Sequence, residues 1–254
     1  MFAWGDGKVL RLYRSDAGDA EVEHQLRCLT TAAGCGIRVP RVVGREDVDG
    51  RRGVVMERLD GQDLFGVIAK QPWRVWSIAR LCGRLHANIN STRAPADLRT
   101  TRDLLRTRIT QSQAVPRPYA DAALKQLENL PDGEGLCHGD FHPGNVMLHQ
   151  GEPVIIDWTN LSRGSPEADF ARTDMMIRLG EVPPGMQFVI RILAKVARSV
   201  LVNSYAAAYH REQPVDPALL GAWRLPVAVA RISEGIEAEM PALHSYIDRL
   251  LRDT

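Results

Sequence analysis

One stretch of the chain constrains the rest. Residues 137–148 read Cys137-His138-Gly139-Asp140-Phe141-His142-Pro143-Gly144-Asn145-Val146-Met147-Leu148. A turn at Gly151 follows, then Val154-Ile155-Ile156-Asp157-Trp158. The pattern is strand, polar loop, strand, tight turn, and a strand ending in an acid. Its polar residues are spaced H-x-D-x-x-x-x-N, with an acid twelve residues after the Asn. Such a loop brings Asp140 and Asn145 to one rim, and the hairpin returns Asp157 to that rim. The Asn145 amide oxygen and the Asp157 carboxylate are hard oxygen ligands, suited to Mg²⁺ held partly by the phosphates of a nucleotide. Asp140 is left to meet a substrate hydroxyl. That combination is the one phosphoryl transfer needs: a positioned hydroxyl, an acid to take its proton, and metal against the phosphate charge.

The surrounding sequence changes character once. Residues 1–58 read as short strands with one helix, and residues 59–254 mainly as helices around the strand-rich island. Phe2–Trp4 and Lys8–Tyr13 flank Gly5-Asp6-Gly7, and Arg41–Glu46 and Gly53–Met56 flank Asp47-Val48-Asp49-Gly50, which predicts two hairpins. Between them, Asp19 caps a helix to about Ala33, with Leu26, Leu29 and Ala33 on one face and Gly34 as its stop. Pro72 opens a helix to about Asn88, whose apolar stripe runs Val75, Ile78, Cys82, Leu85, Ile89. Cys82 and His86 lie on or beside that stripe and read as core residues. Further helices are predicted at 99–112, 118–129, 166–178, 186–209, 216–238 and 240–252, with Pro226 kinking or breaking the penultimate one. Trp73, Trp76 and Trp223 read as packing residues.

Composition excludes several classes. The 254 residues are 44% hydrophobic and 25% charged, values of an ordinary globular chain. Lys and Arg total 32 against 31 Asp and Glu, so the net charge of +1 argues against nucleic acid or a membrane surface as partner. No apolar run reaches the ~18 residues of a membrane span. The four cysteines include no C-x-x-C pair, which excludes a zinc knuckle on spacing. The N-terminus has no basic, apolar leader, so a reduced, cytoplasmic location is expected.

With these motifs in hand, the sequence resembles the aminoglycoside phosphotransferase and choline-kinase-like family. His138-Gly139-Asp140 through Asn145 and Ile156-Asp157-Trp158 match its two central motifs. Val39-Pro40-Arg41-Val42 matches the run entering its fourth strand, and Val55-Met56-Glu57-Arg58 looks like its hinge. Gly164–Asp169 resembles the segment after its metal-binding Asp. The resemblance implies an α+β, two-lobed protein-kinase-like fold, with a small, truncated β-rich N-lobe (1–58) and a larger helical C-lobe (59–254). It further implies a Mg²⁺-dependent kinase that moves the γ-phosphoryl group of ATP or GTP to a small hydroxylated substrate. Asp140 would act on the hydroxyl, Asn145 and Asp157 on the metal, and Met56, Glu57 and Arg58 would present hinge backbone to the base. Gly139 stands where many protein kinases carry Arg, which favours a small-molecule acceptor. His138 and His142 read as residues that shape the loop, and Asp169 as a helix cap or a brace for it. Asp174, Glu181, Glu234, Glu237 and Glu239 are acids near the expected substrate region, suited to an amine-bearing substrate or to a solvated surface.

Two departures from the family pattern qualify this reading. The family's phosphate-binding Lys is replaced by Arg11, with Lys8 sent to the opposite face by strand alternation. Its helix partner is expected to be Glu23, with Glu21 as the alternative. The chain also opens inside what should be the family's second strand, so either the first strand and its phosphate-covering loop are absent or the start lies upstream. These departures favour the alternative, a non-catalytic kinase-like protein that binds a nucleotide or metabolite.

Overall fold

The structure, a computed structural model, describes residues 1–13, 19–180 and 188–253, and leaves aside the side chains of residues 188–195. Glu181, one of the acids singled out above, lies outside the described residues. By packing, the chain falls into two units. Met1–Lys70 and Pro143–Leu161 form the first, and Gln71–His142 and Ser162–Thr254 the second. The boundary expected from sequence character, at 58, is therefore not where the packing divides. Residues 59–70 and the island's hairpin both pack with the N-terminal residues.

The first unit is built on an antiparallel sheet in the order β1-β2-β4-β3: β1 (Phe2–Ala3), β2 (Lys8–Leu12), β3 (Val42–Val48) and β4 (Arg51–Glu57). Both predicted hairpins are present. The pairing Val9↔Met56 and Arg11↔Val54 sets the register between β2 and β4. The α1 helix (Asp19–Gly34) buries Val22, Gln25, Cys28, Leu29 and Ala32. Tyr13, Val22, Val54 and Met56 form its core with Val9, Leu26 and Val42 packed against them. After β4 comes α2 (Leu64–Lys70).

The island supplies β6 (Val146–His149) and β7 (Glu152–Ile155), paired from Val146↔Ile155 to His149↔Glu152. Gln150 and Gly151 both have positive φ, 52° and 86°, the backbone of a two-residue hairpin turn. The hairpin is tied into the first unit by Leu148 N–H donating to Gln62 O (3.1 Å) and Ile155 N–H donating to Arg38 O (3.0 Å). Trp158 is buried at 1% exposure, its indole N–H donating to Ile155 O at 3.0 Å.

The second unit holds α3 (Val75–Ser91), α4 (Thr101–Gln111), α5 (Arg117–Glu128), the two-stranded pair β5 (Gly135–Cys137) and β8 (Ser162–Gly164), α6 (Pro166–Leu179), α7 (Phe188–Glu212), α8 (Pro217–Ile232) and α9 (Met240–Arg252). The α3 helix packs along α7, and α8 against α4, α5, α6 and α9. Of the α3 stripe, Ile78, Cys82 and Ile89 are buried and Val75 and Leu85 half-buried, with His86 buried beside them. Burial pushes the Cys82 thiol up to about 12, so it is a packing group rather than a nucleophile.

Two expectations need adjusting. Of the kink or break expected at Pro226, there is no break: helix α8 runs on through it. A proline inside a helix costs about 3 kcal/mol or more. The run Leu225 to Ile232 is buried throughout, and each fully buried large apolar side chain contributes about 1.5–3 kcal/mol, enough to hold the helix together. Trp223 is fully buried as expected, but Trp73 and Trp76 are 76% and 59% exposed. They flank the start of α3 on its outer side, and Trp76 stacks under the Arg80 guanidinium at 5.3 Å.

At Gly61 the backbone passes so close to β6 that an added Cβ would sit 1.8 Å from Leu148 O. Only a residue without a Cβ permits this approach, and the obstructing atom is backbone. We expect Gly61→Ala to destabilise the protein by about 1–3 kcal/mol, the range for overpacking, in denaturant unfolding. An unchanged midpoint would show that the hairpin tolerates displacement.

Candidate functional site

The first unit contains a cavity of about 530 Å³ lined by Val9, Arg11, Gln25, Met56, Glu57, Arg58, Leu59, Met147, Ile156 and Asp157, among others. Five of the residues singled out in the sequence thus share one wall. At the open end of the β6–β7 hairpin the Ile156 N–H donates to Asn145 O at 2.9 Å, so the backbone of Asn145 lies across from the residue before Asp157. Asp157 has a φ of 60°, the left-handed region, which costs a non-glycine residue of the order of ~1 kcal/mol. The Thr159 hydroxyl donates to its carboxylate at 3.3 Å. Among the described residues no group of three or more His, Cys, Asp or Glu is placed to hold a metal ion. An amide oxygen and a carboxylate alone suit a hard cation that completes its shell with phosphate and water oxygens.

Arg11 lies on β2 at the cavity wall, its guanidinium 5.6 Å above the Tyr13 ring. Glu23 is not its partner. Glu23 ion-pairs with Arg45 on β3, and both side chains are about half exposed. The reason is helical period. The buried stripe of α1 runs Val22, Gln25, Leu29, and Glu23 falls one position off it. The polar α1 residue that lines the cavity with Arg11 is Gln25, which accepts a hydrogen bond from the Tyr13 hydroxyl; Leu29 of the same stripe lines it too. Spacing alone pointed to Glu23; the apolar stripe of the same helix is the signal that identifies Gln25.

In the segment expected to be the hinge, two backbone donors are already taken. The N–H groups of Glu57 and Arg58 are committed to Arg41 O (2.8 Å) and Gly7 O (3.0 Å), and that of Asp60 to His149 Nδ1 (3.0 Å). Among the described residues none accepts from the Leu59 N–H, and Leu59 lines the cavity. The Glu57 side chain is held by Arg38 (2.6 and 2.9 Å) and the Arg41 N–H (3.0 Å). The Arg38 bond, against a smaller effect of burial, brings its carboxyl down to about 2.

In the second unit the loop after β5 is fixed by one carboxylate. Asp169, 2% exposed, accepts from His138 N–H (2.8 Å), Gly139 N–H (2.9 Å), His86 Nε2 (2.9 Å) and Asn90 Nδ2 (2.9 Å). His86 Nδ1 meets the Tyr205 hydroxyl at 2.6 Å, and the Tyr209 hydroxyl donates to Asn90 Oδ1 at 2.6 Å. Of the two roles read for Asp169, the structure shows the brace. Burial alone would push its carboxyl up; His86 and Asn90 outweigh it and hold the group well below the usual carboxylate range. Gly139 has a φ of 74°, which explains glycine where a side chain would be strained. His138 is fully buried and its Nδ1 accepts from the Asp140 N–H at 3.2 Å.

Asp140 itself meets arginines. Arg172 Nη2 donates to its Oδ1 at 3.0 Å, Arg231 Nη1 lies 4.0 Å from the same oxygen, and His142 Nε2 lies 4.0 Å from Oδ2. Burial pushes the carboxyl up, but Arg172 and the two histidines outweigh it, leaving it below its ordinary value. Arg172 also reaches Glu234 (2.8 Å), which pairs with Arg108 (3.3 Å) and Arg231 (2.5 Å); Arg231 binds Glu239 through two bonds of 2.9 Å. These arginines come from α4, α6 and α8, and no motif in the sequence announces them.

Asp169→Asn would set an amide with its own N–H donors against four donors. We expect a loss of about 3–5 kcal/mol in denaturant unfolding, the range for breaking a buried charged partner. The sign with pH follows from the depressed carboxyl. Its contribution is full above the ordinary Asp pKa of about 4 and is lost as pH falls below it. Below that pH the wild type should therefore lose stability more steeply than the variant. Parallel acid profiles would show that Asp169 is not the ionised brace.

Comparison with known proteins now has a geometry to meet. No curated protein matches the sequence. Among solved structures, a thermostable mutant of aminoglycoside phosphotransferase APH(4)-Ia superposes with a TM-score of 0.65 at 17% identity, covering 97% of this chain and 87% of that one. The amicoumacin kinase hAmiN, in complex with AMP-PNP, Ca²⁺ and Ami, gives 0.64 at 14% identity, with 97% and 82% covered. A choline/ethanolamine kinase family protein from Mesorhizobium loti gives 0.58 at 14% identity, with 97% and 81% covered. The likeness is one of fold, the α+β kinase-like architecture expected from the motifs. The sequence signature of the phosphotransferase enzyme (APH) family matches residues 2–206, and the chain belongs to that family.

Proposed function

We propose that this chain transfers the γ-phosphoryl group of ATP to a hydroxyl of a small molecule, with Mg²⁺. The observation that supports the reading is the backbone bond from Ile156 N–H to Asn145 O at the end of the β6–β7 hairpin, with Asp157 next in sequence and lining a cavity that Arg11 and the expected hinge residues also line. Adenine nucleotides in the amicoumacin kinase complex (AMP-PNP) and in the APH(4)-Ia complex with hygromycin B (ADP) support ATP as donor.

Each residue has a task that its setting permits. The Leu59 N–H, with no acceptor among the described residues, would meet the base, and Met56 would pack on it. Arg11 would bind phosphate oxygens as a planar cation. Asn145 and Asp157 would hold Mg²⁺, which when bound draws off negative charge from the phosphates. In the transfer, the bond from the acceptor oxygen to the γ-phosphorus forms as the bond to the β,γ-bridging oxygen breaks, and the acceptor's proton passes to Asp140. Arg172 keeps Asp140 ionised for that role.

Asp157→Ala should remove Mg²⁺-dependent nucleotide binding in calorimetry while the protein stays folded. Retained Mg²⁺ dependence would refute the metal assignment. Asp140→Asn should cut turnover by about 10²–10⁴ and leave Mg·ATP affinity in place. A collapse of nucleotide binding with turnover per bound complex intact would move Asp140 out of its role. The alternative, binding without turnover, draws on the cavity's lack of an α1 acid beside Arg11 among the described residues. Mg²⁺-dependent ADP release in the presence of hydroxylated metabolites separates the two.

A further inference from the structure

A second cavity, of about 400 Å³, lies within the second unit between α3 and α7. Its walls follow from helical spacing. On α3, Trp76, Arg80 and Arg84 stand four residues apart and so share one face. On α7, Ser204, Ala207 and Ala208 line it with small side chains. The two helices approach closely at Gly83, where an added Cβ would lie 2.5 Å from Tyr205 O and 2.8 Å from Ala208 Cβ. Long side chains on one helix over small ones on the other leave the space. A hollow of this size suits a small molecule.

The lining is cationic and short of partners. Arg80, Arg84 and Arg211 share it with a single acid, Glu212, and none of the four makes an ion pair among the described residues. Arg80 lies instead over the Trp76 ring at 5.3 Å. Arg80 and Arg84, four apart on one helix, repel each other, a small cost that a bound anion would remove. Ser204 is only 9% exposed, and its hydroxyl has no hydrogen-bond partner among the described residues. A polar group shut in to that degree is normally bonded, and here the cavity is the side from which a partner can come. After Glu212 is counted, two positive charges remain. That matches the roughly 1.5–2 negative charges of a phosphate monoester at neutral pH, where a single carboxylate would offset only one.

We propose that this groove is a second ligand site, which binds a phosphate group, free or carried on a small molecule, through Arg84, Arg211 and the Ser204 hydroxyl. Planar guanidinium matches phosphate oxygens through paired N–H bonds. Arg80, drawn to the same anion, would change the setting of the Trp76 indole. The groove shares no residue with the cavity that Arg11 and Asp157 line, and the inference does not depend on the phosphoryl transfer proposed above.

The probes are inorganic phosphate and glycerol phosphate, with glycerol as the neutral control and succinate as the dicarboxylate one. Binding is measured by calorimetry on the full chain, and tryptophan emission is followed in parallel. At least one phosphate probe should bind about tenfold or more tightly than glycerol and succinate. Tighter binding of inorganic phosphate would identify the free ion as the ligand, and tighter binding of glycerol phosphate an ester. The emission should change on binding, and Trp76→Phe should remove that change. The double variant Arg84→Gln, Arg211→Gln should weaken binding about tenfold or more. Ser204→Ala, which removes only the hydroxyl, should weaken it several-fold. Arg11→Gln, at the other cavity, should leave it unchanged. Arg84 and Arg211 are both exposed, so the variants should unfold at the wild-type midpoint. No saturable binding of either phosphate probe, equal binding of succinate, binding that survives the double arginine variant, or binding lost in Arg11→Gln overturns the proposal.

Discussion

A carboxylate surrounded by four N–H donors and shut off from water has to remain ionised, and Asp169 is held in that state. Two of its donors are the backbone N–H groups of His138 and Gly139, so the path of the chain into Asp140 is set by an ion that cannot move. The other two come from α3, through His86 and Asn90, and each of those is held in turn by a buried tyrosine of α7. Four segments far apart in sequence therefore meet at one charge. Such a network is costly if any member is missing, because the remaining buried donors have nowhere else to go. Phe141, fully buried and stacked on the His86 ring at 4.4 Å, closes the arrangement from the apolar side.

The arginine cluster solves a different problem. A partly buried carboxylate such as Asp140 tends to protonate. Arg172 offsets that tendency, and Glu234 keeps Arg172 and Arg231 from repelling each other. Positive and negative groups alternate along this chain of contacts, which is how a crowded set of charges stays stable with little water.

What was legible in the sequence was whatever is local. The β6–β7 hairpin, with its turn at Gln150-Gly151 and its acid at Asp157, could be read because strand alternation and turn chemistry act over a few residues. Helix α3 could be read because its stripe repeats over four turns. The Glu23 assignment failed because a motif spacing was followed where the helix's own periodicity, Val22-Gln25-Leu29, gave the facing side. Trp73 and Trp76 were misplaced because residue type says less about burial than position on the helix does. The tie between Arg108, Arg172 and Arg231 spans over a hundred residues and exists only once α4, α6 and α8 are packed. Pro226 was read by its local cost, while the burial that outweighs that cost is tertiary.

The left-handed backbone at Asp157 sets stability against the metal-binding role proposed for that residue. Glycine would sit there without strain, and asparagine with little. Random mutation followed by screening for heat resistance alone would be expected to enrich those replacements, yielding a sturdier protein with no anionic oxygen at the end of its hairpin. Laboratory evolution of this scaffold therefore has to select for turnover and thermal tolerance together, since the second alone leads away from the first.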